Sequence, residues 1–308
     1  MAAASYAVLV VASLVRLVRW PAELRADLAA PQRAFGSFAV VAGLAVLGER
    51  IYEQHAEGVG LALLGAAVVG WLLLGYAVPA LVVLAPDKPG LAVAVDGSWL
   101  LWVVATQAVS TAAALTAHRD GTLRGLATVT AVTTWAVGVV LYLSLLTLLL
   151  LRLLVAPVSP HQMTPPYWIV MGATAITVLA GSRILQLDRT HPFVRLATPL
   201  VEGLSLLLWA FGTWTVPLLV AFGTWRHVLR RDRLAFTPEL WTVVFPLGMY
   251  SAASAEFGRS AGLPFLAGPA RATFWIALVA WAADFGAMLP SLVTGPWSPG
   301  ARSSRAAR

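Results

Sequence analysis

The stretch "TPPYWIVMGATAITVLAGS", from Thr164 to Ser182, is apolar and long enough to cross a bilayer, yet much of it is Gly, Ala, Ser and Thr. A helix facing lipid is better served by bulky side chains. Small ones let neighbouring helices approach closely, or leave room for a lumen. The stretch is therefore expected to form a membrane helix over 166–185 whose neighbours are protein or a pore.

The rest of the chain supports a membrane setting. Of 308 residues, 59% are hydrophobic and only 11% charged, with a mean hydropathy of +0.80. Soluble domains carry about 25% charged residues. Apolar runs of bilayer-spanning length recur from end to end, so the expected fold is an all-α polytopic membrane protein forming one membrane domain over 1–308. Nine spans are expected, at about 5–20, 35–51, 59–84, 98–117, 126–154, 166–185, 197–225, 240–257 and 273–293, followed by a basic tail over 294–308. The first run has no basic region before it and carries Arg16 and Arg19 at its far end, which fits a membrane helix better than a signal peptide.

The net charge is +7. Its basic residues lie in the links between apolar runs, where they set orientation and meet anionic lipid. There is no basic patch interleaved with aromatics, so nucleic acid is not an expected partner; the bilayer is. Arg16, Arg19, Arg25, Arg33, Lys88, Arg152, Arg226, Arg230, Arg231, Arg233 and the three tail arginines fall on one side, which outnumbers the other and is read as cytoplasmic. That places the C-terminus inside a multi-pass protein of the cell's inner (plasma) membrane. The chain contains no cysteine and no asparagine, which excludes disulfides, thiol chemistry and Asn-linked glycans.

Two helix types alternate. The runs beginning near Phe35, Ser98, Pro166 and Leu240 are short and rich in small residues, and a longer run of Leu, Val and Trp follows each one. Their starts are about 63, 68 and 74 residues apart, a helical-hairpin repeat of the sort that builds transporters and channels. The small-residue members are expected to face protein or pore, and the bulky ones lipid.

Five segments then carry a resemblance. They are "RAFGSFAVVAGLAVLGER" (Arg33–Arg50), "DGSWLLWVVATQAVS" (Asp96–Ser110), the opening stretch, "ELWTVVFPLGMYSAAS" (Glu239–Ser254) and "LLLWAFGTWTVPLLVAFGTWRHV" (Leu206–Val228). In order and spacing they resemble the third, fifth, seventh, ninth and eighth helices of the tellurite-resistance/C4-dicarboxylate transporter family, which includes the plant slow-type anion channels. The resemblance implies ten helices, as five hairpins around a central pore, and assembly as homotrimers. It also implies a phenylalanine that plugs the pore from the ninth helix, matched here by Phe245 beside Pro246. The first run of this chain resembles the family's second helix, so the family's first pore helix is expected to be missing.

Several residues are candidates for the pore. Pro246 lacks an N–H and bends a helix, and Gly248 would relieve crowding near the bend, with Met249 beside it. Thr106, Gln107 and Ser110 are polar at mid-membrane depth, as are Thr174 and Thr177; each either bonds across helices or lines a pore. Phe38, Gly43 and Gly172 complete the pore-lining set. Intramembrane carboxylates suggest ion coupling, and Asp284 and Glu202 are the candidates; Glu49, Glu202 and Glu256 lie near span ends, where a solvated reading is at least as strong, and for Asp284, the deepest, a structural hydrogen bond is the favoured alternative. The sequence is also read as holding no buried Arg or Lys, hence no fixed anion site. His55, His118, His161, His191 and His227 fall in loops or at helix ends without metal-type spacing. No catalytic constellation is visible, so neither enzymatic activity nor a cofactor is expected.

The expected function is membrane transport of small anions, monovalent or C4-dicarboxylates such as malate, through a pore gated by Phe245. The alternatives are a proton-coupled exporter of dicarboxylate, sulfite or oxyanion on the same fold, and a non-transporting, shortened membrane protein.

Overall fold

The computed structural model describes residues 18–54, 56–86, 94–118, 122–232 and 236–294, together with residues 15 and 90. Most of the first expected span and nearly all of the basic tail lie outside these residues, as does His55. Eight long helices are described: α1 (Phe38–Glu53), α2 (Glu57–Leu84), α3 (Leu101–Ala117), α4 (Arg124–Val155), α5 (Ile169–Ile184), α6 (Pro192–Thr224), α7 (Trp241–Ser260) and α8 (Ala267–Thr294). No strand occurs among the described residues.

The repeat read from composition is present in three dimensions. Each small-residue helix is entered through a 3-10 turn: Phe35–Ser37 before α1, Gly97–Leu100 before α3, Pro165–Trp168 before α5 and Pro238–Leu240 before α7. Each then packs on the long helix that follows it, giving the hairpins α1/α2, α3/α4, α5/α6 and α7/α8. The small-residue helices also pack on one another in chain order, α1 on α3, α3 on α5 and α5 on α7. The result is an inner arc of four helices with an outer helix behind each.

Burial separates the layers. Within an 18-residue window of α5 and its entry turn 83% of residues are buried, and within one of α3 and its turn 72%; the figures for α2 and for α8 with its turn are 11% and 6%. With few bulky groups of their own, the inner helices approach closely enough for the outer helices to cover them. The stretch at Thr164–Ser182 therefore touches protein on nearly every side, as its composition implies. The outer helices present Leu73, Tyr76, Val140, Leu207, Trp214, Trp275 and Val279 outward, which is the surface lipid requires.

Seven described helices are long and apolar enough to cross a membrane. α7 is not among them. Its run of Pro, Tyr, Ser and Glu lowers its hydropathy, and α5 and α8 on its flanks spare it from needing a lipid-compatible surface. Two boundaries differ from expectation. α6 begins at Pro192 rather than near 197, because proline fits a first helical turn that has no use for its missing N–H. α8 begins at Ala267 rather than near 273, after a 3-10 turn opened by Pro264.

Candidate functional site

The arc has a concave side, because α1 and α7, its two ends, do not pack extensively on each other among the described residues. Most polar side chains at its centre are turned away, into seams with the outer helices. Thr106 accepts from the indole of Trp71 on α2 at 2.9 Å. Gln107 donates to the Trp135 carbonyl on α4 at 3.2 Å, and Ser110 to the Ala131 carbonyl at 2.7 Å. Thr177 donates to Ala173 within α5, while its own carbonyl accepts from the Trp135 indole. Thr174 is buried against Gly212 of α6. The hydroxyls and the Gln107 amide N–H thus bond to backbone carbonyls or receive an indole N–H, as burial demands, while the Gln107 amide oxygen is buried without a partner.

The level of Phe245 is apolar. The ring is half-buried against the core and lies near the start of α7. Pro246, next to it, is buried on α5 at Gly172, where an added Cβ would come within 2.8 Å of the proline ring. The bare glycine is what allows α7 to approach α5 here. Pro246 also leaves the Thr242 carbonyl without its helical donor, which frees the backbone to bend beneath Phe245. Gly248 is exposed and Met249 half-buried, three and four residues on and on the face that carries Phe245. Gly43 is half-exposed on α1. Phe38 is fully buried and stacks on Trp102 at 5.9 Å, inside the α1/α3 seam.

The inner helices all run in one direction, and at their C-terminal ends they carry a polar collar. Glu49 of α1 accepts from Arg183 of α5 at 2.8 Å and from the Thr111 hydroxyl of α3 at 2.5 Å. Arg183 also reaches the Thr111 carbonyl at 3.4 Å. Gln186, just past α5, donates to Glu256 of α7, which Arg259 also holds. One collar thus ties all four inner helices. By the rise of a helix it stands about 16 Å along the axis from the level of Phe245 and Gly172.

This overturns two readings of the sequence. Glu49 is buried, not solvated, and arginines do lie inside the protein. Arg152 is only 3% exposed and donates to the Tyr167 hydroxyl at 2.5 Å; the Arg183 side chain is 22% exposed. Both sit near helix ends, where sequence reading assigns arginine to solvent. The available signal was the repeat: "LGER" and "AGSR" fall near the ends of equivalent helices, which puts Glu49 and Arg183 at a similar depth.

His118, at the end of α3, is held below its ordinary pKa of 6.5, first by burial and then by the Arg183 charge. A histidine kept neutral in the folded state costs nothing at high pH and destabilises once the unfolded chain takes up a proton. Stability in detergent is expected to fall as pH drops through 6.5, and His118→Gln to flatten that part of a thermal-melt pH series.

The candidate coupling carboxylates lie apart from the arc's centre. Glu202 pairs with Arg189 at 3.2 Å on the surface, and Asp284 is half-exposed on the outer helix α8. At the opposite end from the collar, Arg226 holds Asp232 at 2.7 Å and the Met163 carbonyl at 2.9 Å, fastening the basic link after α6 to the approach to α5.

Comparison with known proteins agrees with this architecture. An uncharacterized membrane protein of Mycobacterium tuberculosis is 44% identical over 152 residues, which is 49% of this chain and 77% of that protein. An uncharacterized transporter of Methanocaldococcus jannaschii is 28% identical over 120 residues, 39% of this chain and 33% of that protein. No solved structure matches. The model of the SLAC1 family, described as voltage-dependent anion channel, matches residues 1–289, and with four hairpins of small-residue and bulky helices among the described residues the chain belongs to this family of anion channels and transporters.

Proposed function

We propose that the chain provides a passive pathway for small anions along the concave side of the inner arc, closed at the level of Phe245. The observation that carries this reading is the distribution of polarity. Polar groups at the middle of the inner helices are turned into seams, the level of Phe245 is apolar, and charge returns only at the ends. An apolar ring at a constriction blocks an ion by offering nothing to replace its hydration shell. The pathway takes monovalent anions or small dicarboxylates such as malate, and Gly172 and Pro246 hold the gate in register.

The test is anion flux in proteoliposomes. Phe245→Ala is expected to raise chloride, nitrate or malate efflux by about tenfold or more, equivalent to ~1.4 kcal/mol removed from the barrier. Correctly inserted Phe245→Ala with unchanged flux of all three would remove the gate from the reading.

A further inference from the structure

The Glu49–Arg183 pair crosses the arc. α1 and α5 are not neighbours; α3 lies between them, and they share no extensive packing of their own. On its convex side α3 is covered by α4 and touched by α2. A contact from α1 to α5 therefore has to run over the concave side, with Thr111 of α3 between its ends. The ion pair spans the same space in which the proposed anion pathway lies.

We infer that Arg183 and Thr111 form an anion site for a planar carboxylate-type anion, and that in this conformation the side chain of Glu49 occupies it as a tethered substitute. The contacts have the geometry of such a site. One carboxylate oxygen of Glu49 accepts from Arg183 Nη1 at 2.8 Å and the other accepts from Thr111 Oγ1 at 2.5 Å. The Thr111 hydroxyl also lies 2.8 Å from the Ala108 carbonyl. It has one proton to give, and an ionised carboxylate is the stronger acceptor. The remaining N–H groups of Arg183 make no hydrogen bond among the described residues, so the guanidinium can donate to a further oxygen. A free anion competes with a carboxylate fixed to the chain, whose effective concentration is of millimolar order or more. The site is therefore closed to dilute anion until Glu49 moves aside or loses its charge.

The inference rests on the proposed anion pathway for its purpose, but its test is equilibrium binding, which stands or falls apart from flux. Formate is the probe, titrated into purified full-length protein in detergent while the melting temperature is followed, with chloride at equal ionic strength as the control for shape. Glu49→Gln is expected to show saturable stabilisation by formate, with an apparent affinity about tenfold or more above that of the unaltered protein, and a weaker response to chloride. In Glu49→Gln/Arg183→Gln that response should vanish. Glu49→Gln/Thr111→Val, which keeps Arg183 but takes away the site's second donor, serves as a second variant. Its formate response should fall between those of Glu49→Gln and Glu49→Gln/Arg183→Gln. Equal formate responses in Glu49→Gln and unaltered protein, or a gain that survives loss of Arg183, would overturn the assignment. A formate site in a protein that carries no anion flux, with Phe245→Ala included, would keep the site and remove the pathway; raised Phe245→Ala flux with no formate site would do the reverse.

Discussion

Arg183→Gln is expected to cost about 3 kcal/mol of stability, and Glu49→Gln made in the same chain to return most of it. The reason is where each charge sits. The Glu49 side chain is 12% exposed and that of Arg183 22%. Removing the arginine leaves a carboxylate inside the helix arc with only the Thr111 hydroxyl as a donor, and breaking a buried pair in this way typically costs 3–5 kcal/mol. The lower end of that range applies because the arginine is the more solvated partner. Removing Glu49 alone is the milder change, since the guanidinium keeps contact with water and with the Thr111 carbonyl. Replacing both leaves two neutral amides able to bond to each other across the same gap. Unfolding of the four proteins in mixed detergent gives the coupling energy directly. Additive single and double changes would mean that the pair does not tie α1 to α5.

How much of this was legible in the sequence depends on the kind of force involved. Helix positions and the division into inner and outer types follow from bulk properties, chain-long hydropathy and the alternation of small with large residues. Those act locally and leave a local trace, so the span at 166–185 could be read as a protein-facing helix from its own composition. The 3-10 entry turns were half visible in the prolines at 165, 166 and 238. What the sequence could not show was the direction of each polar side chain. Gln107 and Ser110 share a face whether that face looks into a lumen or onto α4, and only the position of Trp135 and Ala131 decides between these. Glu49 and Arg183 are 134 residues apart, and each taken alone resembles a charge at a helix end meeting water. Their burial arises from the curvature of the arc, a property of four helices together. Phe245 shows the limit from the other side: its importance entered through resemblance, and its half-buried ring above Pro246 and Gly172 adds a physical setting that the motif alone lacked.

Gly97→Ala is expected to have the largest effect of any single methyl added to this protein. Gly97 opens the 3-10 turn that leads into α3, held in place by Asp96, whose carboxylate accepts from the Ser98 backbone N–H at 2.8 Å and from the Ser98 hydroxyl. Across from it runs the entry turn of α5. A Cβ at position 97 would lie 2.1 Å from the Pro166 carbonyl oxygen, 2.4 Å from its carbon and 2.7 Å from the Tyr167 nitrogen. All three are backbone atoms, so no side-chain rotation can make room. Pro165 and Pro166 further stiffen the opposing turn. The two turns must separate, and with them the ends of α3 and α5 on which the arc is built. Overpacking of this sort costs about 1–3 kcal/mol and occasionally more; a clash with backbone on both sides belongs at or above the top of that range. Gly248→Ala makes the matched control, because no atom lies within 4 Å of the added methyl. Gly97→Ala should melt well below the parent protein or fail to accumulate in the membrane, while Gly248→Ala melts with it. Equal stability of the two would mean that α3 and α5 enter the membrane farther apart than the Gly97–Pro166 contact requires, and the inner arc would have to be redrawn from that end.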